Sequence, residues 1–330
     1  MNELEKTFVK GLYYSDEEIK EAEENKKLLN LDLDMSNLCN LRCIYCDKTS
    51  IGEEHHQKEN ELLLGDYYNI IRQAKDLGCE NLQFIGAGEP MLDPNFWSII
   101  EFASELEILS VIYTNGTKIN EKSSRRLFNL DTSLVLKYNS FNNKTQNELA
   151  GKERYDGKVR KSLEILMDSG FNEQVPPRLA IDCIATKLNK NGIMDLFKFC
   201  RENNISPQFS GLIPHGEALE RGLVLNKKEY AEIYEEAREY DRQMGLKYPP
   251  KLPFLGGFQC RQIKYGLYVD VLGDVWECNA GELNLGNIRK SKLKDLWLSK
   301  KARYFREKWA CGNCHIREKY WREQDDKRKS

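Results

Sequence analysis

Leu31-Asp-Leu-Asp-Met-Ser36-Asn-Leu-Cys39-Asn-Leu-Arg-Cys43-Ile-Tyr-Cys46 is the stretch on which the reading of this chain turns. Leu31 to Ser36 alternates apolar and polar residues with the two-residue period of a strand. Three thiols follow at once, spaced C-x3-C-x2-C, with an aromatic residue just before the last. Three ligands leave one position of a metal centre open, and in an iron–sulfur cluster an open iron can take a substrate or cofactor directly. Half of a zinc site is the competing reading, and it needs a fourth ligand nearby. His55 and His56 are the candidates for that ligand, in a polar loop.

The strand of this motif is the first of six. Candidate strands are Leu31–Ser36, Asn81–Gly86, Ile108–Thr114, Ser133–Asn139, Arg178–Thr186 and Ser206–Ile213, with helical stretches near 61–77, 94–106, 120–129, 155–169 and 191–203. Such alternation predicts an α/β fold with a parallel sheet, open or curled into a barrel. Six units are fewer than the eight that close a full barrel. Residues 1–29 read as a charged helical extension starting near Ser15, with no evident buried stripe, and so as a loose cover. The core spans 30–225. Residues 226–256 read as a linking helix and loop, because 226–245 is strongly charged and Pro249, Pro250, Pro253, Gly256 and Gly257 mark a boundary. Residues 257–330 form a second, small domain that ends in a frayed charged tail from Asp325.

Composition narrows the function classes. The chain has 330 residues, 40% hydrophobic and 31% charged, enough apolar material for a sizeable core. A formal net charge of −2 provides no global basic field for nucleic acid or an anionic membrane. No apolar run approaches the roughly 18 residues of a membrane span. Met1 to Asn30 lacks a signal-peptide apolar stretch, so a cytoplasmic protein with reduced thiols is expected. Ten cysteines in that setting argue for metal or cluster ligation rather than disulfides.

Further motifs sit where strands end. Gly86-Ala-Gly88-Glu89-Pro90 follows the second strand: glycines let backbone approach a ligand, and Glu89 can accept from a cationic amino group. Thr114-Asn115-Gly116-Thr117 ends the third strand, Lys137-Tyr-Asn-Ser140 the fourth, and Asn189 lies beyond the fifth. A second thiol set follows: Cys260, Cys278 and Cys311-Gly-Asn-Cys314, with a β-hairpin over Tyr268–Cys278. Four cysteines suit a tetrahedral zinc site or a fully ligated iron–sulfur cluster, and spacing alone favours zinc.

Taken together, the chain resembles the radical S-adenosylmethionine (SAM) superfamily. Cys39, Cys43 and Cys46 match that family's cluster motif residue by residue. The resemblance implies a partial (β/α)6 TIM-like barrel in which these cysteines hold a [4Fe–4S] cluster. Its fourth iron is chelated by SAM, which is cleaved to methionine and a 5′-deoxyadenosyl radical. It places Tyr45 by the adenine, and Gly86, Gly88 and Glu89 at the SAM ammonium. It makes Thr114 and Asn115 a ribose-side turn and Asn189 a cofactor contact. Lys137 stands where many relatives carry a serine near the SAM carboxylate, with which a lysine can pair as a point charge. The C-terminal segment resembles the twitch domain, a shortened SPASM extension, and Leu285-Gly-Asn-Ile288 and Leu293-Lys-Asp-Leu-Trp297 match it too. Its four cysteines, Cys260, Cys278, Cys311 and Cys314, would hold one auxiliary [4Fe–4S] cluster, the second of two.

Three reaction classes remain: dehydrogenation of a carbinol, epimerisation with a returned hydrogen atom, and modification of a precursor peptide. Epimerisation calls for a thiol donor, and Cys183 in the fifth strand is the only plausible one. Strand alternation turns Cys183 toward the helices if the charged Asp182 faces a polar lumen, which favours oxidation. Asp182 is then a candidate base or substrate contact, and His215 after the sixth strand another, with Glu217 beside it. The expected activity is oxidation of a carbinol in a small amino-sugar or aminocyclitol-type substrate. The auxiliary cluster would accept the electron, and an external donor such as flavodoxin or ferredoxin would supply reducing power. A non-catalytic iron–sulfur redox protein is the alternative from another class, and it would not need the glycines or Glu89.

Overall fold

Alternation along the chain resolves into six parallel strands: β1 (Asn30–Leu33), β2 (Asn81–Phe84), β3 (Leu109–Thr114), β4 (Ser133–Lys137), β5 (Leu179–Ala185) and β6 (Ser206–Gly211). The structure is a computed structural model that describes residues 3–46, 60–86, 88–213, 217–248, 254–257, 260–281, 283–309, 316 and 318–323. Helices α1 (Asp16–Asn25), α2 (Leu64–Asp76), α3 (Phe96–Glu105), α4 (Glu121–Asn129), α5 (Asn143–Ala150), α6 (Tyr155–Asp168), α7 (Ile193–Glu202), α8 (Glu217–Glu220) and α9 (Lys227–Gln243) accompany them. Three further strands, β7 (Gly266–Val269), β8 (Asp274–Trp276) and β9 (Asn284–Asn287), extend the sheet in the order β6-β5-β4-β3-β2-β1-β7-β8-β9. The sheet does not close, so the barrel is partial. The first strand is shorter than its alternation suggests, because the residues after Leu33 leave the ladder to build the cysteine loop.

The two faces of the sheet differ in chemistry. Leu31, Leu33, Leu82, Phe84, Ile112, Leu134, Leu136, Ile181 and Phe209 are buried together under the helices. Burying each such side chain contributes about 1.5–3 kcal/mol. The alternate residues line the concave face, and they are polar over much of it: Asn30, Asp32, Asn81, Gln83, Lys137, Asp182, Ser206, Gln208 and Ser210.

The N-terminal segment is not a loose cover. Phe8, Val9 and Leu12 are buried against Val111, Val135 and Ala180, concave-face residues of β3, β4 and β5 that lie two positions before Tyr113, Lys137 and Asp182 in turn, and so floor the lumen. Gly11 makes this entry possible: it has φ +90°, and a Cβ there would lie 2.4 Å from Leu109 Cδ2. Helix α1 then starts on a reciprocal cap between Ser15 and Glu18 and buries Ile19 and Ala22 beside Tyr14, Leu29 and Tyr265. The apolar residues that seat the arm precede the helix, which is why a search for a helical stripe does not find them.

The charged helix α9 does not act as a bare link either. Tyr230, Tyr234 and Ala237 are buried on its inner side, and Asp241 receives a two-point hydrogen bond from the buried Arg201 of α7, both contacts 2.8 Å. The C-terminal region joins the barrel sheet directly. Short helix α10 (Gln262–Tyr265) leads into β7, which pairs parallel with β1, and the expected hairpin forms between β7 and β8. Asp270 accepts from the backbone N–H groups of Leu272 and Asp274 in its turn, where Gly273 has φ +81°. Helices α11 (Leu293–Trp297) and α12 (Lys300–Trp309) follow. Among the described residues, no helix is long and apolar enough to cross a membrane.

If the arm is the floor of the barrel, Leu12→Ala should destabilise the protein by about 2–5 kcal/mol in urea unfolding, as for a fully packed leucine. A loss below about 0.5 kcal/mol would mean that the arm is peripheral.

Candidate functional site

Where the parallel strands end, the chain after β1 forms the loop that carries Cys39, Cys43 and Cys46. Little regular structure holds this loop from within; Cys46 N donates to Cys43 O at 3.0 Å. Its neighbours hold it instead. Glu89 N donates to Leu38 O at 2.7 Å, and Arg42 N and Ile44 N donate to Ala150 O and Leu149 O at the end of α5, both 3.1 Å. Lys152 Nζ donates to Asn40 O at 2.8 Å. The Asn40 side chain donates to Thr117 Oγ1 and accepts from Asn115 Nδ2, at 2.8 and 2.9 Å. Gly151 ends α5 at φ +59°, and a Cβ there would sit 1.9 Å from Arg42 O.

All three thiols are half-buried. Burial pushes the Cys43 thiol up to about 12, with the charges of Cys46 and Cys39 adding to the rise, and burial raises Cys39 as well. Three thiolates side by side therefore call for a positively charged partner, as an iron–sulfur cluster supplies. Among the described residues, no three His, Cys, Asp or Glu side chains converge as on a single metal ion. A four-iron cluster asks for a different arrangement, because each thiolate binds its own iron.

The glycine motif abuts this loop. A Cβ on Gly86 would lie 1.7 Å from Asp34 Oδ1, and one on Gly88 would lie 2.3 Å from Leu38 O and 2.6 Å from Ser36 O. Both positions thus bring the chain after β2 against the exit of β1, which only glycine permits. Glu89 is buried: Oε1 accepts from Thr114 Oγ1 at 2.7 Å and Met91 N at 3.2 Å, and Oε2 from Asn115 N at 2.6 Å. Burial raises its carboxyl to about 7 despite these bonds. Thr114 and Asn115 therefore touch Glu89 on one side and, through Asn115, the cysteine loop on the other.

Tyr45 lies against the cluster of Leu212, Ala218, Leu223 and Val224, and its hydroxyl accepts from Asn139 Nδ2 at 2.9 Å. Asn189 is enclosed: its amide donates to Asn139 O and Ile184 O and accepts from Thr186 N and Oγ1, so all four hydrogen-bonding positions are satisfied within the protein. Lys137 and Asp182 are neighbours across β4 and β5 and form an ion pair on the concave face. Burial pulls the Lys137 ammonium down, but the charge and hydrogen bond of Asp182 outweigh this and leave it raised. The partner of Lys137 here is therefore a side chain of the lumen. Burial pushes the Tyr113 hydroxyl far up, and the charges of Asp182, Asp32 and Cys260 push it the same way.

Cys183 is fully buried on the helix side of β5, as strand alternation from a lumen-facing Asp182 predicts, with Sγ 3.6 Å from Asn139 O, and burial drives its thiol far up. Cys260 stands just before α10 and Cys278 just after β8, both half-buried, while Cys311, Cys314 and His215 lie outside the described residues. Several braces escaped the reading of the sequence: Asn40, Asn139, Lys152, Gln146 and Tyr155. Gln146 accepts from Asn139 N and Ser140 N, and Tyr155 donates to Asn115 O. Asn142 followed by Gly151 is the cap pair that could have revealed α5.

The family model described as the radical SAM superfamily matches residues 33–206, more than half of the chain, and that of the SPASM iron–sulfur cluster-binding domain matches 260–315. A probable GTP 3′,8-cyclase of Methanothermobacter marburgensis is 26% identical over 200 residues, 60% of this chain and 62% of the cyclase. An AdoMet-dependent heme synthase of Oleidesulfovibrio alaskensis is 22% identical over 317 residues, 85% of this chain and 78% of the synthase. In structure, Streptococcus suis SuiB bound to S-adenosylmethionine superimposes with TM-score 0.67 at 19% identity, covering 92% of this chain and 80% of SuiB. Native anSMEcpe with bound AdoMet and a peptide gives TM-score 0.62 at 19% identity, over 84% of this chain and 82% of that one. The chain therefore belongs to the radical SAM superfamily, whose core domain binds a [4Fe–4S] cluster and SAM, and it carries a SPASM-type domain that binds further iron–sulfur.

Proposed function

We propose that this enzyme oxidises a carbinol carbon of a small polar substrate, of the amino-sugar or aminocyclitol type, held over the Lys137–Asp182 pair. Cys39, Cys43 and Cys46 hold the core cluster, and Gly86, Gly88, Glu89, Thr114, Asn115 and Tyr45 surround SAM. When bound, the reduced cluster supplies the electron that cleaves SAM. The barrel then keeps water from the reacting carbon, with Phe8, Val9 and Leu12 closing one end. The 5′-deoxyadenosyl radical would take a hydrogen atom from the carbinol carbon, ending as 5′-deoxyadenosine. The substrate radical would become a carbonyl on giving its hydroxyl proton to Asp182 and one electron to an acceptor, a role that an auxiliary cluster held by Cys260, Cys278, Cys311 and Cys314 would supply. An external flavodoxin or ferredoxin of the cytoplasm primes the cycle.

The observation that carries this reading is the pair of neighbours on β5: Asp182 faces the lumen beside Lys137, while Cys183 is buried behind the sheet. A base is at hand, and the one thiol of the strand is not.

Two outcomes test the proposal. Gly151→Val drives a side chain into Arg42 O, so the reconstituted variant should keep its fold but lose about half of its roughly eight irons; unchanged iron would detach α5 from the core cluster. In turnover with candidate amino-sugars labelled with deuterium at the carbinol carbon, label should enter 5′-deoxyadenosine and a carbonyl should form. Asp182→Asn should slow product by about 10²-fold while deoxyadenosine still forms. A product carrying one solvent deuteron at the reacting carbon would mean epimerisation instead.

A further inference from the structure

A second cavity lies beside the C-terminal half of α1. Helix α1 there meets α10, α11 and α12 around a volume of about 490 Å³. That volume lies within the range of small-molecule pockets. Its wall is fixed by Trp297, which is 3% exposed and donates its indole N–H to Lys26 O at 3.0 Å.

The charges around this cavity do not balance. Lys26, Lys264, Arg303 and Arg306 face only two carboxylates, Glu23 and Glu307. Lys264 and Glu23 already pair at 3.7 Å. Among the described residues, Lys26 and Arg303 make no ion pair. The Arg306 guanidinium lies 3.9 Å over the Trp297 ring and donates one hydrogen bond, to Trp297 O at 2.9 Å. A guanidinium has five N–H donors, so most of its donors have no protein acceptor. Burial pulls Arg306 down to about 10, and the charge of Arg303 adds to this, while those of Glu23 and Glu307 only partly oppose it. Burying a guanidinium in this way is unfavourable unless an anion completes it.

We propose that this cavity is a binding site for a small polyanion bearing phosphate or carboxylate groups, held by Arg303, Arg306 and Lys26. The Trp297 face is covered by Arg306, so the ligand is recognised through its charge and not by stacking. The cavity is several times larger than one phosphate needs, which favours a ligand with two or more anionic groups. Because α12 runs on to the segment of Cys311 and Cys314, the same ligand ties that helix to α1 and α11.

Inorganic pyrophosphate and citrate, titrated into the reconstituted holoenzyme by calorimetry, test the proposal and separate phosphate from carboxylate chemistry. At least one should bind saturably at one site per chain and raise the thermal midpoint. Arg303 is exposed, so Arg303→Glu should fold normally, keep its iron and lose at least tenfold in affinity; Lys26→Ala should show a smaller loss. Failure of both probes to bind, or equal affinity in wild type and Arg303→Glu, would overturn the site. If neither anion binds but Arg303→Glu weakens association with reduced flavodoxin, the face docks an acidic protein and the small-molecule proposal is wrong.

Discussion

The close approach of two strand exits is the constraint on which the rest of the site depends. Leu38 O receives the backbone N–H of Glu89 at 2.7 Å, and Gly88 has no room for a Cβ against Leu38 O and Ser36 O. A loop of three thiols has too few hydrogen bonds of its own to keep a shape. It borrows one from β2's exit, from the end of α5 and from the Asn115–Thr117 turn. Remove any of these and the thiols lose their fixed spacing, on which multi-iron ligation depends.

Polarity of the lumen is the second determinant. A barrel whose inward residues were leucine and valine would fill itself, as the helix-facing side does. Here the upper lumen holds a lysine–aspartate pair, amides and hydroxyls, while the apolar residues Val111, Val135 and Ala180 gather at one end under the arm. The molecule thus separates a dry floor, which contributes stability, from a polar chamber where a hydrophilic substrate can be bound.

Much of this was legible in the sequence because the decisive signals are local. A C-x3-C-x2-C run needs no tertiary context, and six alternating segments give six parallel strands within a few residues of their ends. The side of β5 on which Cys183 falls also follows from period two alone. What stayed hidden is non-local. Phe8, Val9 and Leu12 are three apolar residues in a charged arm, and only the barrel floor explains them. Helix α5 is nearly all polar, so hydrophobic periodicity passes over it, yet its last carbonyls hold the cysteine loop. The charge on α9 likewise conceals the buried Arg201–Asp241 contact, because pairing across two helices leaves no trace in spacing.

The most direct measurement of the central claim is electron paramagnetic resonance of the reduced, reconstituted protein with and without SAM, in wild type and in a Cys39/Cys43/Cys46→Ala variant. The account predicts two cluster signals in the wild type, one of which shifts on adding SAM, and in the variant a single remaining signal that ignores SAM. A variant that retains both signals, or a wild type whose spectrum is unmoved by SAM, would contradict it.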